Sequence, residues 1–217
     1  MSRDKNQLWL FDSQNDYAKK KIVIVWVGWV WSVSAYYIAQ MWCQNITIVD
    51  MDEVEIHNTA SQFYGSKDLW KSKVEALKEN ILMFTDVEVT AIHGEYNIEQ
   101  IKGADIVLCA VDNMDVRKQV VEDCFMEDIE YVIESRMLWE DYMLFAFDPL
   151  TQKDRRLEYR HPASESLPEI CTMKSISYNT GAIGSHVAKL IKNYLTKSWE
   201  NAFLMRVDGM FKIEWEF

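Results

Sequence analysis

Glycine is scarce in this chain. Its 217 residues hold seven, where ordinary usage of about 7% gives ~15. Proline is scarcer still: there are three, Pro149, Pro162 and Pro168. All lie in the polar stretch Asp148 to Pro168, which reads as a long loop of the kind that often carries function. The four cysteines, Cys43, Cys109, Cys124 and Cys171, include no Cys-x-x-Cys pair. That excludes a zinc knuckle and a disulfide scaffold, and a reducing, cytoplasmic setting is the expectation. No apolar run approaches the roughly 18 residues of a membrane span, and Met1 to Gln7 lacks the apolar stretch of a signal peptide. Basic charge is in the minority: 23 Lys and Arg face 34 Asp and Glu, a net charge of −11. Such a chain repels phosphate backbones, so nucleic acid is excluded as the partner.

The remaining composition is that of a globular protein, 49% hydrophobic and 26% charged. The length suits a single domain, residues 1–217, with a full core. Lys21 to Trp26 is a short β-branched run of the type found in buried parallel strands. A helix is expected over Ser32 to Cys43, then a strand over Ile46 to Asp50. Ser66 to Phe84 looks helical, with Val74, Leu77 and Ile81 on one face. Strands follow at Val87 to Ile92, Ala104 to Ala110 and Tyr131 to Glu134, with a helix at Val116 to Phe125. This alternation predicts an α/β fold with a doubly wound, mostly parallel sheet. Tyr142 to Phe147 reads as an outlying strand. Ala182 to Leu195 is an amphipathic helix with Ile183, Val187, Leu190, Ile191 and Tyr194 on its stripe. Ala202 to Val207 and Met210 to Trp215 flank Asp208-Gly209, a hairpin signal, so the sheet should gain antiparallel strands toward the C-terminus.

The segment from Ile24 to Ser32 lies between the first strand and the first helix. A nucleotide-binding turn there wants Gly-x-Gly-x-x-Gly, so that the backbone turns tightly and its amides approach phosphate. Only the middle glycine, Gly28, is present; Trp26 and Trp31 occupy the other places. Asp50 ends the second strand, where an acid can bond a ribose hydroxyl. From these two features alone a nicotinamide-dependent oxidoreductase remains open, as does a packed turn without a ligand.

Several further segments, taken in order, are more specific. They are Ile48-Val49-Asp50-Met51-Asp52-Glu53-Val54, Asn58 to Phe63, Asp68-Leu69-Trp70-Lys71-Ser72-Lys73, Ala110-Val111-Asp112-Asn113 with Arg117, Glu134-Ser135-Arg136-Met137, and Cys171-Thr172. In this order, across about 20–195, the chain resembles the ThiF/MoeB family, whose Rossmann-like fold is shared with ubiquitin-activating enzymes. The resemblance implies ATP-dependent adenylation of the C-terminal carboxylate of a small ubiquitin-like or sulfur-carrier protein, with ATP and Mg2+ as cofactors and a homodimer as the assembly. It implies that Gly28 lies in the phosphate turn, that Asp50 and neighbouring Asp52 hold the ribose side, and that Asn58 and Gln62 lie near the phosphates. Lys73 would neutralise phosphate charge, and Asp112, beside Asn113, would hold the magnesium ion. Cys171, expected at a helix start that lowers a thiol's pKa, would be a nucleophile toward the acyl-adenylate. The family's arginine in the Asn-x-x-Arg-Gln pattern is Ser61 here, and its N-terminal arginine motif is not recognisable in Leu8 to Lys19. A catalytically inactive, partner-binding subunit of the same fold is therefore the alternative.

Trp26, Trp29, Trp31, Trp42, Trp70 and Trp139 fall where that family has, or readily accepts, glycine. Exchanging these six would turn seven glycines and nine tryptophans into 13 and three. Two explanations stand at this point: a source that reads one stop-type codon as glycine, or genuine divergence to a dead fold. With tryptophan in place, indoles are expected over the phosphate seat, weakening nucleotide binding.

Overall fold

The computed structural model describes residues 19–41, 43–138, 141–151, 177–196, 204–207 and 213–216. The first strand, β1 (Ile22–Val25), is fully buried, as its run of β-branched side chains requires. It leads through a short turn into α1 (Trp29–Gln40). Next come β2 (Ile46–Asp50), α2 (Lys73–Thr85), β3 (Thr90–His93), β4 (Ile106–Cys109), α3 (Met114–Met126), β5 (Tyr131–Leu138) and β6 (Asp141–Phe147). The long helix α4 (Ser177–Thr196) and the strands β7 (Leu204–Val207) and β8 (Ile213–Glu216) complete the order.

The eight strands among the described residues join one sheet in the order β3-β2-β1-β4-β5-β6-β7-β8. The first five pair in parallel, with Ile24 beside both Ile48 and Leu108. From β5 onward every pair is antiparallel. The sheet is thus doubly wound with antiparallel strands added at the C-terminal side, as the alternation predicts. Period-two alternation sends Ile22 and Ile24 of β1 to one core and Val23 and Val25 to the other. The larger core lies beneath α1, α2 and α4, and the smaller one includes Val120, Val121 and Cys124 of α3. Fully burying one such Val, Ile or Leu side chain contributes about 1.5–3 kcal/mol.

Element boundaries differ from the sequence expectation in informative places. α1 starts at Trp29, not Ser32, because Gly28 is its N-cap and Ser32 N–H already donates to Gly28 O at 3.0 Å. The helix expected over Ser66 to Phe84 is only half present. Ser66–Asp68 is a single 3-10 turn, the chain then extends, and α2 begins at Lys73 with Ser72 as N-cap. The reason is tertiary: Val54 N–H donates to Lys71 O and Trp70 N–H to Val54 O, which pulls residues 70–71 out of helix and onto the segment after β2. α2 ends where Asp86 turns left-handed and its N–H reaches Leu82 O. Strand β5 runs four residues beyond Glu134, because β6 pairs with all of it after Tyr131, Val132 opposite Phe147 through to Leu138 opposite Asp141.

The stripe of α4 is inside the protein. Ile183, Val187, Leu190 and Ile191 are buried in the larger core. At Gly184 the backbone comes so close to α1 that a Cβ would sit 3.1 Å from Tyr37 Cδ2 and Val33 Cγ1. The stripe therefore joins helices within one chain. Residues 149–151 are helical. Residues 152–168 of the expected long loop, Cys171, Trp42, Trp139 and the Asp208-Gly209 turn lie outside the described residues.

Candidate nucleotide site

The parallel half of the sheet has one place where the chain leaves a strand toward opposite sides. β2 lies on one flank of β1 and β4 on the other. In open α/β sheets ligands bind outside the carboxyl ends of strands at such a point. The β1–α1 turn, the acidic end of β2 and the loop after β4 all sit there.

The turn is held tightly. Trp26 adopts a positive φ of 68°, and its N–H donates to Val49 O at 2.7 Å. Val27 N–H donates to Asp50 Oδ2 at 2.8 Å, and Tyr64 Oη donates to Val27 O at 2.7 Å. Gly28 follows with φ −76° and no side-chain cap, and a Cβ there would meet nothing within 4 Å. The amides of the first turn of α1 have no intrahelical acceptors, and the space beside Gly28 is open. That cradle fits an anion, since helix N-termini present amides and a positive dipole end.

Asp50 is 1% exposed. Its second oxygen accepts from Asp52 N–H at 2.8 Å. Burial holds its carboxyl above the usual carboxylate range, against the pull of the Lys73 ammonium and of the Asp52 and Val27 amides. Lys73 Nζ lies 2.7 Å from Asp52 Oδ2 with a side chain only 9% exposed. The backbone makes the same link, because Lys73 N–H donates to Asp52 O. A buried lysine on a half-exposed carboxylate is a cation held in place at little entropic cost, ready to turn toward a stronger anion.

Asn58 is buried and its Oδ1 accepts from Glu55 N–H at 2.8 Å, so in this state it closes its own 3-10 turn. Gln62 is buried too, with an Oε1 that has no hydrogen-bond partner. Ser61, in the place of the family's arginine, is buried and its carbonyl accepts from Thr180 Oγ1. Asn113 Oδ1 caps α3 by accepting from the Asp115 and Val116 amides, so its side-chain oxygen is engaged locally. Asp112, just before it, is exposed. Among the described residues no group of three His, Cys, Asp or Glu side chains could hold a metal ion unaided. A magnesium ion bound with nucleotide needs only one or two carboxylates, the rest being phosphate and water, so exposed Asp112 fits that requirement.

Three residues that build the site escape sequence reasoning about ligands. Arg117 is buried, with Nε and Nη2 donating to Val111 O at 3.0 and 2.6 Å and Nη1 to Ser135 O at 2.8 Å. It ties the Asp112 loop to β5. Tyr64 fixes the turn from below, and Ser32 Oγ accepts from Phe63 N–H at 3.1 Å. Arg117 stood in a family motif; nothing in the sequence marked Tyr64 or Ser32.

The tryptophans are not arranged as expected. Trp31 is fully buried in the larger core and Trp26 packs half-buried against the smaller one. Neither supplies an indole over the phosphate cradle; Trp29, the first residue of α1, is the one that remains beside it.

Comparison with known proteins matches residues 2–215 to the ThiF family. The chain belongs to the ThiF family. Among curated ThiF-like relatives, the SUMO-activating enzyme subunit 2 of Dictyostelium discoideum is 29% identical over 119 residues, 52% of this chain and 18% of that protein. The molybdopterin-synthase adenylyltransferase of Haemophilus influenzae is 27% identical over 154 residues, 68% of this chain and 63% of that one. The ThiS adenylyltransferase of Escherichia coli is 24% identical over 119 residues, 52% of this chain and 47% of that one. This chain thus spans less than two thirds of the length of each. Among solved structures, Escherichia coli MccB with ATP superposes with a TM-score of 0.75 at 16% identity, covering 99% of this chain and 68% of that one. The microcin C7 biosynthetic enzyme MccB with N-formylated MccA gives 0.78 at 15%, covering 99% and 68%. At such identity these structures bear on the ThiF fold alone.

Proposed function

We propose that this protein is an ATP-dependent adenylyltransferase that activates the C-terminal carboxylate of a small ubiquitin-like or sulfur-carrier protein. The observation that carries the reading is the convergence at one switch point of an open anion cradle at Gly28, a buried acid at Asp50, a held cation at Lys73 and an exposed carboxylate at Asp112. The curated relatives' adenylyltransferase names support it.

In this reading a carboxylate oxygen of the carrier attacks the α-phosphorus of ATP, the bond to the β-phosphate oxygen breaks, and pyrophosphate leaves with the electron pair. The acyl-adenylate is the product. The first-turn amides of α1 hold phosphate oxygens. Asp50 accepts from the ribose with lone pairs its two amide partners leave free. Lys73 leaves Asp52 for the phosphates, where its charge offsets what builds up in transfer. Asp112 would hold Mg2+, which supplies Lewis-acid polarisation and neutralises pyrophosphate as it departs. Arg117, through its bonds to Val111 O and Ser135 O, keeps that loop in place.

The second reading, a partner-binding subunit without catalysis, is favoured by Ser61 in the arginine place and by Trp29 beside the cradle. Pyrophosphate exchange with a candidate carrier separates the two. Carrier-dependent exchange is expected, lowered at least about a hundredfold by Lys73→Ala or Asp112→Ala, each of which removes a charge acting on the transferred group. Nucleotide-free behaviour in calorimetry, with no exchange for any carrier, establishes the inactive subunit instead.

A further inference from the structure

Among the described residues, four that are not glycine have left-handed φ: Trp26 at 68°, Trp70 at 69°, Asp86 at 58° and Asp128 at 52°. Aspartate visits this region because its short side chain can bond locally; a bulky residue there is an outlier. Both tryptophans are tied to the neighbouring backbone. Trp26 N–H is committed to Val49 O at 2.7 Å and Trp70 N–H to Val54 O at 2.9 Å. Trp70 recovers nothing by burial, since it is 71% exposed. A third tryptophan is also ill-suited to its place: Trp31 Nε1 is buried with no hydrogen-bond partner, a donor that loses its water without replacement. The chain that shows these misfits has more tryptophans than glycines, nine against seven.

We infer that glycine is the residue for which positions 26 and 70 are built, and that the protein's own ribosomes place it there by reading as glycine a reassigned stop codon that another code renders as tryptophan. The inference rests on backbone conformation and composition, so it stands or falls apart from the adenylation reading. It reaches the site all the same. Position 26 is the pivot of the β1–α1 turn, and position 70 fixes the segment that delivers Lys73 to Asp52.

The test compares glycine with alanine, because both remove the indole while only glycine relieves positive φ. At position 70, Trp70→Gly is expected to exceed Trp70→Ala in folded-to-unfolded ratio by at least about fivefold in urea unfolding. Equal ratios overturn the conformational part. If the chain as written does not fold, the same pair is compared on a Trp26→Gly background. Trp31 is left out of this comparison, since deleting a fully buried indole opens a cavity that masks the effect. The decoding part is read directly. Peptides of the protein isolated from its source should carry glycine at positions 26 and 70, encoded by the same stop-type codon. Tryptophan in those peptides, or ordinary UGG codons at both positions, overturns it.

Discussion

His186 faces Tyr142 across the join between α4 and β6, with Tyr142 Oη 2.6 Å from His186 Nδ1. Burial, followed by the nearby Lys189 ammonium, holds the imidazole below its ordinary pKa. A neutral ring can accept the tyrosine hydroxyl at Nδ1; a charged ring cannot. As pH falls, the unfolded chain therefore binds this proton before the folded one does. The group's contribution is complete above the unfolded value of about 6.5 and is lost as pH falls through the lowered folded value. Urea midpoints should decline below about pH 6.5, and His186→Gln, which retains an acceptor, should flatten that decline. An unchanged slope would mean that other groups govern acid sensitivity. Cys43 follows the same physics with the opposite sign: burial pushes its thiol up to about 12, so it stays protonated and inert, as its place in the core requires.

At the scale of elements, α1 packs closely against α4. α4 lies far from α1 in sequence yet packs on it, and it also holds the segment after β2, where Thr180 Oγ1 donates to Ser61 O, and β5, where Tyr194 stacks on Tyr131 with centroids 4.3 Å apart. Gly184 sets the distance, its missing Cβ admitting Tyr37 and Val33. Gly184→Leu should force the helices apart and cost about 1–3 kcal/mol, read as a lower urea midpoint. Because α1 supplies the cradle amides at its other end, ATP affinity should fall with it. A midpoint equal to that of the unsubstituted chain would show that α1 and α4 are less tightly packed than the 3.1 Å approach implies.

At the scale of the whole molecule, the stripe of α4 is covered within one chain, so a homodimer of the kind the resemblance implies would need another surface. Leu82, Met83 and Phe84 at the end of α2 are 43%, 56% and 51% exposed. Phe84 lies 5.9 Å from Phe63 and 6.0 Å from Tyr36, centroid to centroid, so the exposed group continues an aromatic cluster. Light scattering at micromolar concentration should give twice the 25.6 kDa chain mass, and Phe84→Lys should shift it toward one; a monomer throughout removes the dimer from the account. No described helix is long and apolar enough to cross a membrane.

The sequence by itself determined the periodic features. The β-branched run at Ile22–Val25 and the apolar run at Ile106–Cys109 suited strands covered on both faces, and alternation with helices pointed to a parallel, doubly wound sheet. It also placed Asp50, Lys73, Asp112 and Asn113 by their order in motifs, and it made the tryptophan positions suspect by count. Tertiary structure decided what those residues touch. Residues 66–72 have helical composition, but Val54 claimed the backbone groups of 70 and 71 and held them extended. The stripe on α4 said only that some apolar surface must cover it; α1 did so, not a second chain. The Oδ1 of Asn58 accepts from Glu55 N–H within its own turn, and Trp31, read as standing over the cradle, went into the core. Local pattern fixes which face of an element must be buried, because that depends on neighbours three or four residues away. It cannot fix which element buries it, because that partner lies far along the chain and is chosen by shape and by hydrogen bonds that exist only after folding.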